Sequence, residues 1–306
     1  MRQVRVSALR RTAAVGLVSG LGLSSASALN IVPTWAPNIN SDPNAAAIKA
    51  DIQAAINLYN ATFTDPITVN FTFQEGGGLG SSSTSFVSSP FSSFRAALVT
   101  DSSTADDTLA LAHLPAGLTE PVTGTSSVRL STANARALGL PDGGATLDCT
   151  ITLNTSICFT THNSPVAGQY DLFAVASHEM DEGLGTISGV GGPVWSADMY
   201  RYDGAGGRSY TASSTVHAWF SIDSTTNIVE YNQFGRTGGD FGDWVVHVPP
   251  QVQDFAGTPG VTVNPGNSEF RLLDVVGYNR APVPEPASMA VLGLGVLALL
   301  RRRRKA

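Results

Sequence analysis

The stretch DLFAVASHEMDEGLG, residues 171–185, constrains the fold more than any other part of the chain. Asp171 suits the start of a helix and Gly185 suits its end, so the pattern predicts a helix between them. Helical geometry places residues i and i+4 on one face, so His178 and Glu182 can reach a common ion. The sequence thus predicts a helix that carries an imidazole and a carboxylate side by side.

These residue types have the chemistry of a metal-dependent hydrolase. Zinc accepts imidazole nitrogen and carboxylate oxygen, and catalytic zinc sites usually combine three protein ligands with a water. We therefore expect His178 and Glu182 to be metal ligands, with zinc or another divalent metal as cofactor. Glu179 is expected to act as general base toward the activated water. Because carboxylate suits hard cations, Glu182 also favours manganese, iron or calcium. An ordinary i,i+4 surface pair is the alternative for His178 and Glu182.

The third ligand does not follow from the helix itself. Asp198 in WSADMYRYDG is the predicted third metal ligand, and His217 and His247 are the next candidates. A turn or capping role is the alternative for Asp198, because aspartate is common in turns. Asp240 and Asp243 in GGDFGDW either bind calcium through a glycine-permitted loop or shape a turn.

The N-terminal segment has the three parts of a secretory signal peptide. Arginines at positions 2, 5, 10 and 11 precede an apolar stretch, and Ala26-Ser27-Ala28 form a small-residue cleavage site. Residues 1–28 are therefore predicted to direct export across the inner membrane. An N-terminal membrane anchor is the alternative, although glycine and serine interrupt the apolar run.

The C-terminal segment, residues 281–306, is predicted to insert transiently into the inner membrane. Residues 287–300 contain no charged side chain, and five cationic residues follow them at 301–305. A spanning helix needs about 20 residues, and arginine and lysine stems can lengthen the span by reaching to the interface. The basic cluster stays in the cytoplasm, so the rest of the chain is predicted to lie outside.

Pro284, Glu285 and Pro286 precede the apolar run. This order of Val-Pro-Glu-Pro, apolar helix and arginine run resembles the PEP-CTERM sorting signal of Gram-negative bacteria. The resemblance implies processing near these three residues by an exosortase-type sorting enzyme as partner. The processed protein would then be periplasmic, at the cell surface or extracellular. A plain tail anchor is the alternative.

Removal of both terminal segments leaves a strongly acidic chain. Nine positive and 23 negative residues remain, which is a formal charge of −14. This charge argues against nucleic acid as a partner. Cys149 and Cys158 are the two cysteines, and an oxidising compartment favours a disulfide between them across a short hairpin. Two free thiols are the alternative.

Residues 29–280 are predicted to form one domain of the α+β class with a mixed sheet. Apolar spacing predicts a helix over 42–59 that Asp42 caps, and strict alternation predicts a strand over 67–73. Residues 75–90 are rich in glycine and serine and are expected to be a flexible connection. The remaining predicted elements are short helices at 93–99 and 105–115, β-structure within 144–159, and short strands at 217–223 and 228–232.

The helix pattern in 171–185 resembles the active-site helix of the metzincin-type zincins, Val-Ala-x-His-Glu-x-x-His-x-x-Gly. The resemblance implies a zincin-like metallopeptidase domain, with TITLN at 150–154 as the edge strand that holds an extended peptide substrate. Glu182 replaces the second histidine and Ser188 stands at the third-ligand position, so the third ligand must come from elsewhere. Two further roles follow from the resemblance: Met199 as the apolar floor below the metal, and Tyr200 or Tyr202 as an oxyanion donor.

The combination of HEMDE, DMYRY, GDFGDW and LDVVGYN also resembles a group of exported, PEP-CTERM-tagged metalloproteases with the same His-Glu-x-x-Glu core. We therefore expect a secreted metalloendopeptidase. Two other functions stay open. Glu182 and Ser188 favour a catalytically inactive structural or binding protein of the exopolysaccharide matrix, whereas the intact Glu179 favours an enzyme. The aromatic, glycine-rich half after residue 190 favours a carbohydrate-binding or adhesive module.

Overall fold

The computed structural model describes residues 28–233 and 239–282, and this part of the chain is mixed α/β, with seven α-helices and several sheets. The helices are α1 Pro37–Ser41, α2 Ala45–Thr62, α3 Phe91–Asp101, α4 Ala105–His113, α5 Thr132–Ala137, α6 Leu172–Leu184 and α7 Asn267–Val275. The strands are β1 Asn30–Trp35, β2 Thr68–Glu75, β3 Gly80–Thr84, β4 Phe86–Pro90, β5 Ser127–Ser131, β6 Cys149–Leu153, β7 Cys158–Phe159, β8 Tyr170–Asp171, β9 Arg201–Tyr202, β10 Trp219–Phe220 and β11 Val229–Glu230.

The central sheet has four strands in the order β1-β2-β6-β3. β1, β2 and β6 run parallel, and β3 runs antiparallel to β6. The predicted strand in 67–73 is confirmed, because Val69, Phe71 and Phe73 all point into the core and are fully buried. Alternation of apolar and polar residues therefore fixed which face of this strand packs inward.

The prediction of a flexible connection over 75–90 is wrong. Serine and threonine residues in this stretch form β3 along β6, and residues 86–90 form β4, which pairs with β5. The expectation that 150–154 lies at the sheet edge is also wrong, because β6 has β2 on one side and β3 on the other. The sequence did not predict β3 because its residues are not hydrophobic. This strand is stabilised by backbone pairing with β6 rather than by burial of its side chains.

The helix predicted over 171–185 is confirmed as α6, which packs against α2, β3 and β6. Gly183 lies inside this helix because a Cβ there would come within 2.8 Å of the Phe71 ring and 3.1 Å of Cys149 Cβ. Gly185 ends the helix with a φ of 134°, a region that favours glycine. The helix is thereby held close to the sheet at its C-terminal end.

The predicted helix over 42–59 is observed three residues later, as α2. Asp42 follows the short helix α1, and its carboxylate accepts a hydrogen bond from the backbone N–H of Asn44 at 2.5 Å. Asn44 is the residue that precedes α2. The predicted capping role of Asp42 is therefore wrong. Its carboxylate shapes the turn between the two helices instead.

The predicted disulfide between Cys149 and Cys158 does not form, and both residues are buried free thiols. A hairpin would require the chain to fold back beside β6, but both edges of β6 are already paired, with β2 and β3. The chain instead continues through a short 3-10 turn at Thr155–Ile157 into β7, which pairs with β8. Cys158 therefore belongs to a different sheet from Cys149.

The predicted short helices at 93–99 and 105–115 are confirmed as α3 and α4. The predicted strands after residue 216 are confirmed as β10 and β11, although each extends over two residues only. They form a three-stranded sheet with β9.

Among the described residues, 28–233 and 239–282, no helix is both long enough and apolar enough to cross a bilayer. The predicted signal peptide, the sorting residues 284–286 and the apolar run 287–300 lie outside the described residues.

Candidate metal centre

Three side chains from α6 and a distant loop meet at the outer face of the helix. One ligand atom each from His178, Glu182 and Asp243 lies within 4.8 Å of the others. His178 Nε2 lies 3.3 Å from Asp243 Oδ1 and 3.9 Å from Glu182 Oε1. The side chains are only 16%, 13% and 7% exposed, in that order, so the group is shielded from bulk water. The helix therefore brings His178 and Glu182 together as predicted, and Asp243 completes the set.

The orientation of His178 points its Nε2 at the carboxylates. Nδ1 lies 2.8 Å from the backbone carbonyl oxygen of Val252, an acceptor, so Nδ1 carries the proton. Asp243 Oδ1 is buried and accepts no hydrogen bond. Nε2 and Asp243 Oδ1 therefore face each other at 3.3 Å, a contact that is favourable when either a proton or a metal cation lies between them.

The spacing of the group fits a tetrahedral cation. Two ligands at about 2.1 Å from zinc in a tetrahedron are about 3.4 Å apart. The separation of 3.3 Å between His178 Nε2 and Asp243 Oδ1 matches this value. Glu182 Oε1 lies farther away, 3.9 Å from the same nitrogen, so this carboxylate would have to move closer to complete a tetrahedral site. One imidazole and two carboxylates therefore fit zinc, and also manganese or iron.

The edge strand β3 supports the carboxylates from outside. The Ser82 hydroxyl donates to Glu182 Oε2, which leaves Oε1 facing His178. Gly80 packs directly onto Glu179, and a Cβ at Gly80 would collide with Glu179 Oε1 and come within 2.8 Å of Val175 Cγ1. Glu179 is only 5% exposed. The strand thus holds one ligand and the predicted base in place.

Burial and mutual repulsion dominate the electrostatics. Burial raises the pKa of Glu182 well above its ordinary value, and the charges of Glu179 and Asp243 raise it further. Burial likewise raises the pKa of Glu179. For His178, burial alone lowers the pKa, but the charge of Asp243 together with those of Glu179 and Glu182 outweighs it, so the pKa is raised well above 6.5. Such a concentration of negative charge stabilises a bound cation.

The position of Asp243 depends on packing of the loop 239–244 against the turn that follows α6. A Cβ at Gly242 would lie 2.8 Å from the Thr186 carbonyl oxygen, so glycine permits the close approach. Trp244 is fully buried, and its backbone N–H donates to the Gln253 carbonyl at 2.7 Å. These contacts turn Asp243 toward His178. The loop motif GGDFGDW was the available signal, but it did not indicate which aspartate approaches the helix.

The prediction of Asp198 as third ligand is wrong on this geometry. Asp198 is 1% exposed, and both carboxylate oxygens are already engaged. It accepts hydrogen bonds from the Ser188 hydroxyl at 2.6 Å and from the backbone N–H groups of Gly189 and Trp195 at 2.9 Å each. Asp198 therefore organises the turn around residues 188–198, as the alternative interpretation expected.

The other predicted participants also lie elsewhere. His217 pairs with Glu230, and His247 Nδ1 lies 2.6 Å from Asp254 Oδ1. Met199 is fully buried but does not line the cavity at the metal centre. The Tyr200 hydroxyl donates to the Val275 carbonyl at 2.8 Å, and the buried Tyr202 does not line this cavity either. None of these five residues lines the cavity beside His178.

The comparison with protein families identifies the C-terminal segment. Residues 282–305 match the family model of the PEP-CTERM protein-sorting motif. The chain carries a PEP-CTERM sorting tag. This tag indicates export and C-terminal membrane anchoring through sorting, and it implies an exosortase-type enzyme as partner. No curated protein and no solved structure matches the chain.

Proposed function

We propose that this exported protein is a metal-dependent peptidase with a zincin-like domain. The observation that carries the proposal is the convergence of His178 and Glu182 of α6 with Asp243 of the loop 239–244, with the carboxylate of Glu179 next to them. A divalent cation bound there would supply a Lewis acid that polarises a carbonyl and acidifies a water. The three converging side chains would hold it.

Glu179 has the position and environment of a general base. Its carboxylate interacts with both His178 and Glu182 and lines the same cavity, so it would lie beside the place where water and substrate meet. Burial raises its pKa, which makes it a stronger base than an exposed glutamate. In the proposed reaction Glu179 takes a proton from the attacking water and then gives it to the leaving amine of the cleaved peptide.

The edge strand β3 offers a means of holding the peptide. One side of β3 pairs with β6, and its other side pairs with no strand among residues 28–233 and 239–282. An extended peptide can add to such an edge through backbone hydrogen bonds. Because Gly80 and Ser82 of this strand contact Glu179 and Glu182, a peptide on the edge would lie next to the reacting groups. We therefore assign to β3 the peptide-holding role that the sequence predicted for residues 150–154.

The test compares the wild-type protein with Glu179→Gln. Both proteins should bind about one zinc or manganese per chain, measured by elemental analysis after dialysis. Only the wild type should cleave casein or a mixed peptide library, because glutamine cannot accept the proton. The Glu230→Gln protein, altered at a residue that does not line the cavity, is the matched control and should cleave like the wild type. Metal binding without cleavage by the wild type would instead support a catalytically inactive matrix component.

A further inference from the structure

A cavity of about 350 Å³ opens at the metal centre between β3, α6 and the segment 239–263. The described part of its wall is acidic. Among the described residues that line it, none is lysine or arginine, and six are acids: Asp171, Glu179, Glu182, Asp240, Asp243 and Asp254. A cavity lined by one sign of charge raises the local concentration of ligands of the opposite sign.

Five of these six acids either belong to the proposed catalytic centre or contact a histidine. Glu182 and Asp243 belong to the metal centre, and Glu179 is the proposed base. Asp171 Oδ2 lies 2.8 Å from His162 Nδ1, and Asp254 Oδ1 lies 2.6 Å from His247 Nδ1. The sixth acid, Asp240, makes hydrogen bonds through its backbone only, among the described residues.

Asp240 is held by its backbone and free at its carboxylate. Its N–H donates to Asp243 Oδ2 at 3.3 Å, and its carbonyl accepts from Asn232 Nδ2 at 3.0 Å. Within the described part of the chain, its side chain has no hydrogen bond or ion pair. Its charge acts on both Glu179 and His178, so it lies near the reacting groups. Asp240 is exposed at the mouth of the cavity, so its carboxylate is open to solvent and to a ligand that enters there.

The wall beside Asp240 is apolar. Gly239 packs against Phe255, where a Cβ would lie 3.0 Å from Phe255 Cβ. Further along, Leu79 and Tyr170 close over Gly257, where a Cβ would lie 2.7 Å from Leu79 Cδ2 and 3.0 Å from the Tyr170 ring. A long side chain with an aliphatic stem and a cationic end matches this combination, since the stem covers apolar surface and the end pairs with a carboxylate.

We propose that the cavity selects peptides with a lysine or arginine side chain beside the scissile bond, and that Asp240 is the specificity-determining residue. The proposal rests on the peptidase function proposed above. A bound divalent cation would offset two of the site's negative charges, and Glu179 and Asp240 would still leave the cavity negative. A cationic side chain is therefore favoured over a neutral one of equal length.

The test uses fluorogenic peptides that differ at one position, which carries lysine, norleucine or glutamate. Norleucine keeps the aliphatic stem of lysine without the charge. For the wild type, kcat/KM should be roughly tenfold higher with lysine than with norleucine, the effect expected for one partly shielded charge pair. Asp240→Asn should remove this preference, and Asp240→Lys should shift it toward glutamate. Asp203→Asn, an exposed acid outside the cavity, should retain the wild-type preference.

Equal rates for lysine and norleucine peptides in the wild type, or an unchanged preference in Asp240→Asn, would overturn the proposal while leaving the peptidase function standing. Absence of cleavage for every peptide would count against the peptidase function itself. Binding of the same peptides to Glu179→Gln, followed by fluorescence anisotropy, separates these cases. A lysine preference in binding that Asp240→Asn abolishes supports the subsite even without turnover.

Discussion

Gly80 and Glu179 are in direct contact, and there is no room for a side chain between strand β3 and the carboxylate. The contact joins the edge of the sheet to the helix that carries the candidate metal centre. Its consequence is that β3 both positions the proposed base and forms the nearest wall of the cavity. Glycine at position 80 is therefore a requirement of the site.

Gly80→Ala should inactivate the protein without removing its metal. The added methyl group displaces the Glu179 carboxylate, and a shift of about 1 Å in a catalytic group costs roughly 100-fold in rate. The measurements are kcat/KM and metal content. Gly77→Ala is the matched control, because a Cβ there meets no atom within 4 Å. Equal activity of both variants would contradict the proposed role of Glu179.

Asp243→Asn should weaken zinc binding by more than about 100-fold, beyond the cost of losing an outer-shell partner. The neutral amide is a poor ligand, and the negative charge that favours the cation is lost. Asp198→Asn, at the position predicted from sequence, should keep the affinity of the wild type. Titration against a fluorescent chelator measures both. If Asp198→Asn loses the metal and Asp243→Asn retains it, the assignment of the third ligand is wrong.

The two cysteines should be unreactive thiols in the folded protein. Burial raises the pKa of Cys149 to about 11 and that of Cys158 to about 12, so very little thiolate is present at neutral pH. A colourimetric thiol reagent should detect no reactive group in the native protein and two after unfolding in guanidinium. Reductant should leave Tm unchanged. An unfolded protein without free thiols, with a mass two hydrogens lower, would establish the disulfide instead.

Stability should fall as pH rises through neutrality, in part because of Asp274. Burial raises its pKa from 3.8 to about 7, and its Oδ1 accepts no hydrogen bond. The folded state therefore binds this proton more tightly than the unfolded state. The resulting stabilisation is complete below pH 3.8 and is lost as pH increases through about 7.

Asp274→Asn cannot ionise and should flatten this part of the pH profile. At pH 8 the variant should be more stable than the wild type by roughly 1–3 kcal/mol, since one pKa unit corresponds to about 1.4 kcal/mol. Urea unfolding at pH 5 and pH 8 measures the difference. A wild-type decline between these pH values that the substitution leaves unchanged would show that Asp274 is not responsible.

Local patterns predicted the elements that depend on neighbours in the chain. The alternation in 67–73 correctly indicated a strand with Phe71 and Phe73 inward, and the spacing in 171–185 correctly indicated a helix. The strand β3 was missed because serine and glycine show no apolar alternation, and its order comes from pairing with β6. Errors of this kind are expected wherever tertiary pairing outweighs intrinsic propensity.

The candidate site divides in the same way. His178, Glu179 and Glu182 were identified correctly as neighbours because the helical repeat alone sets their relation. The sequence favours Asp198 over Asp243 because Asp198 lies nearer to α6 along the chain. Its carboxylate, however, accepts hydrogen bonds from the backbone of a turn. Nothing in the local sequence distinguishes an aspartate that closes a turn from one that faces a cavity.

The sequence by itself determined the helix that presents an imidazole and two carboxylates, and it determined the sorting tag at 282–305, since both are short-range patterns of spacing and hydropathy. Only the tertiary structure decided the third residue of the candidate metal centre, the edge strand beside it and the state of the two thiols. Each of these depends on contacts between segments far apart in the chain, whose meeting is set by packing of the whole core.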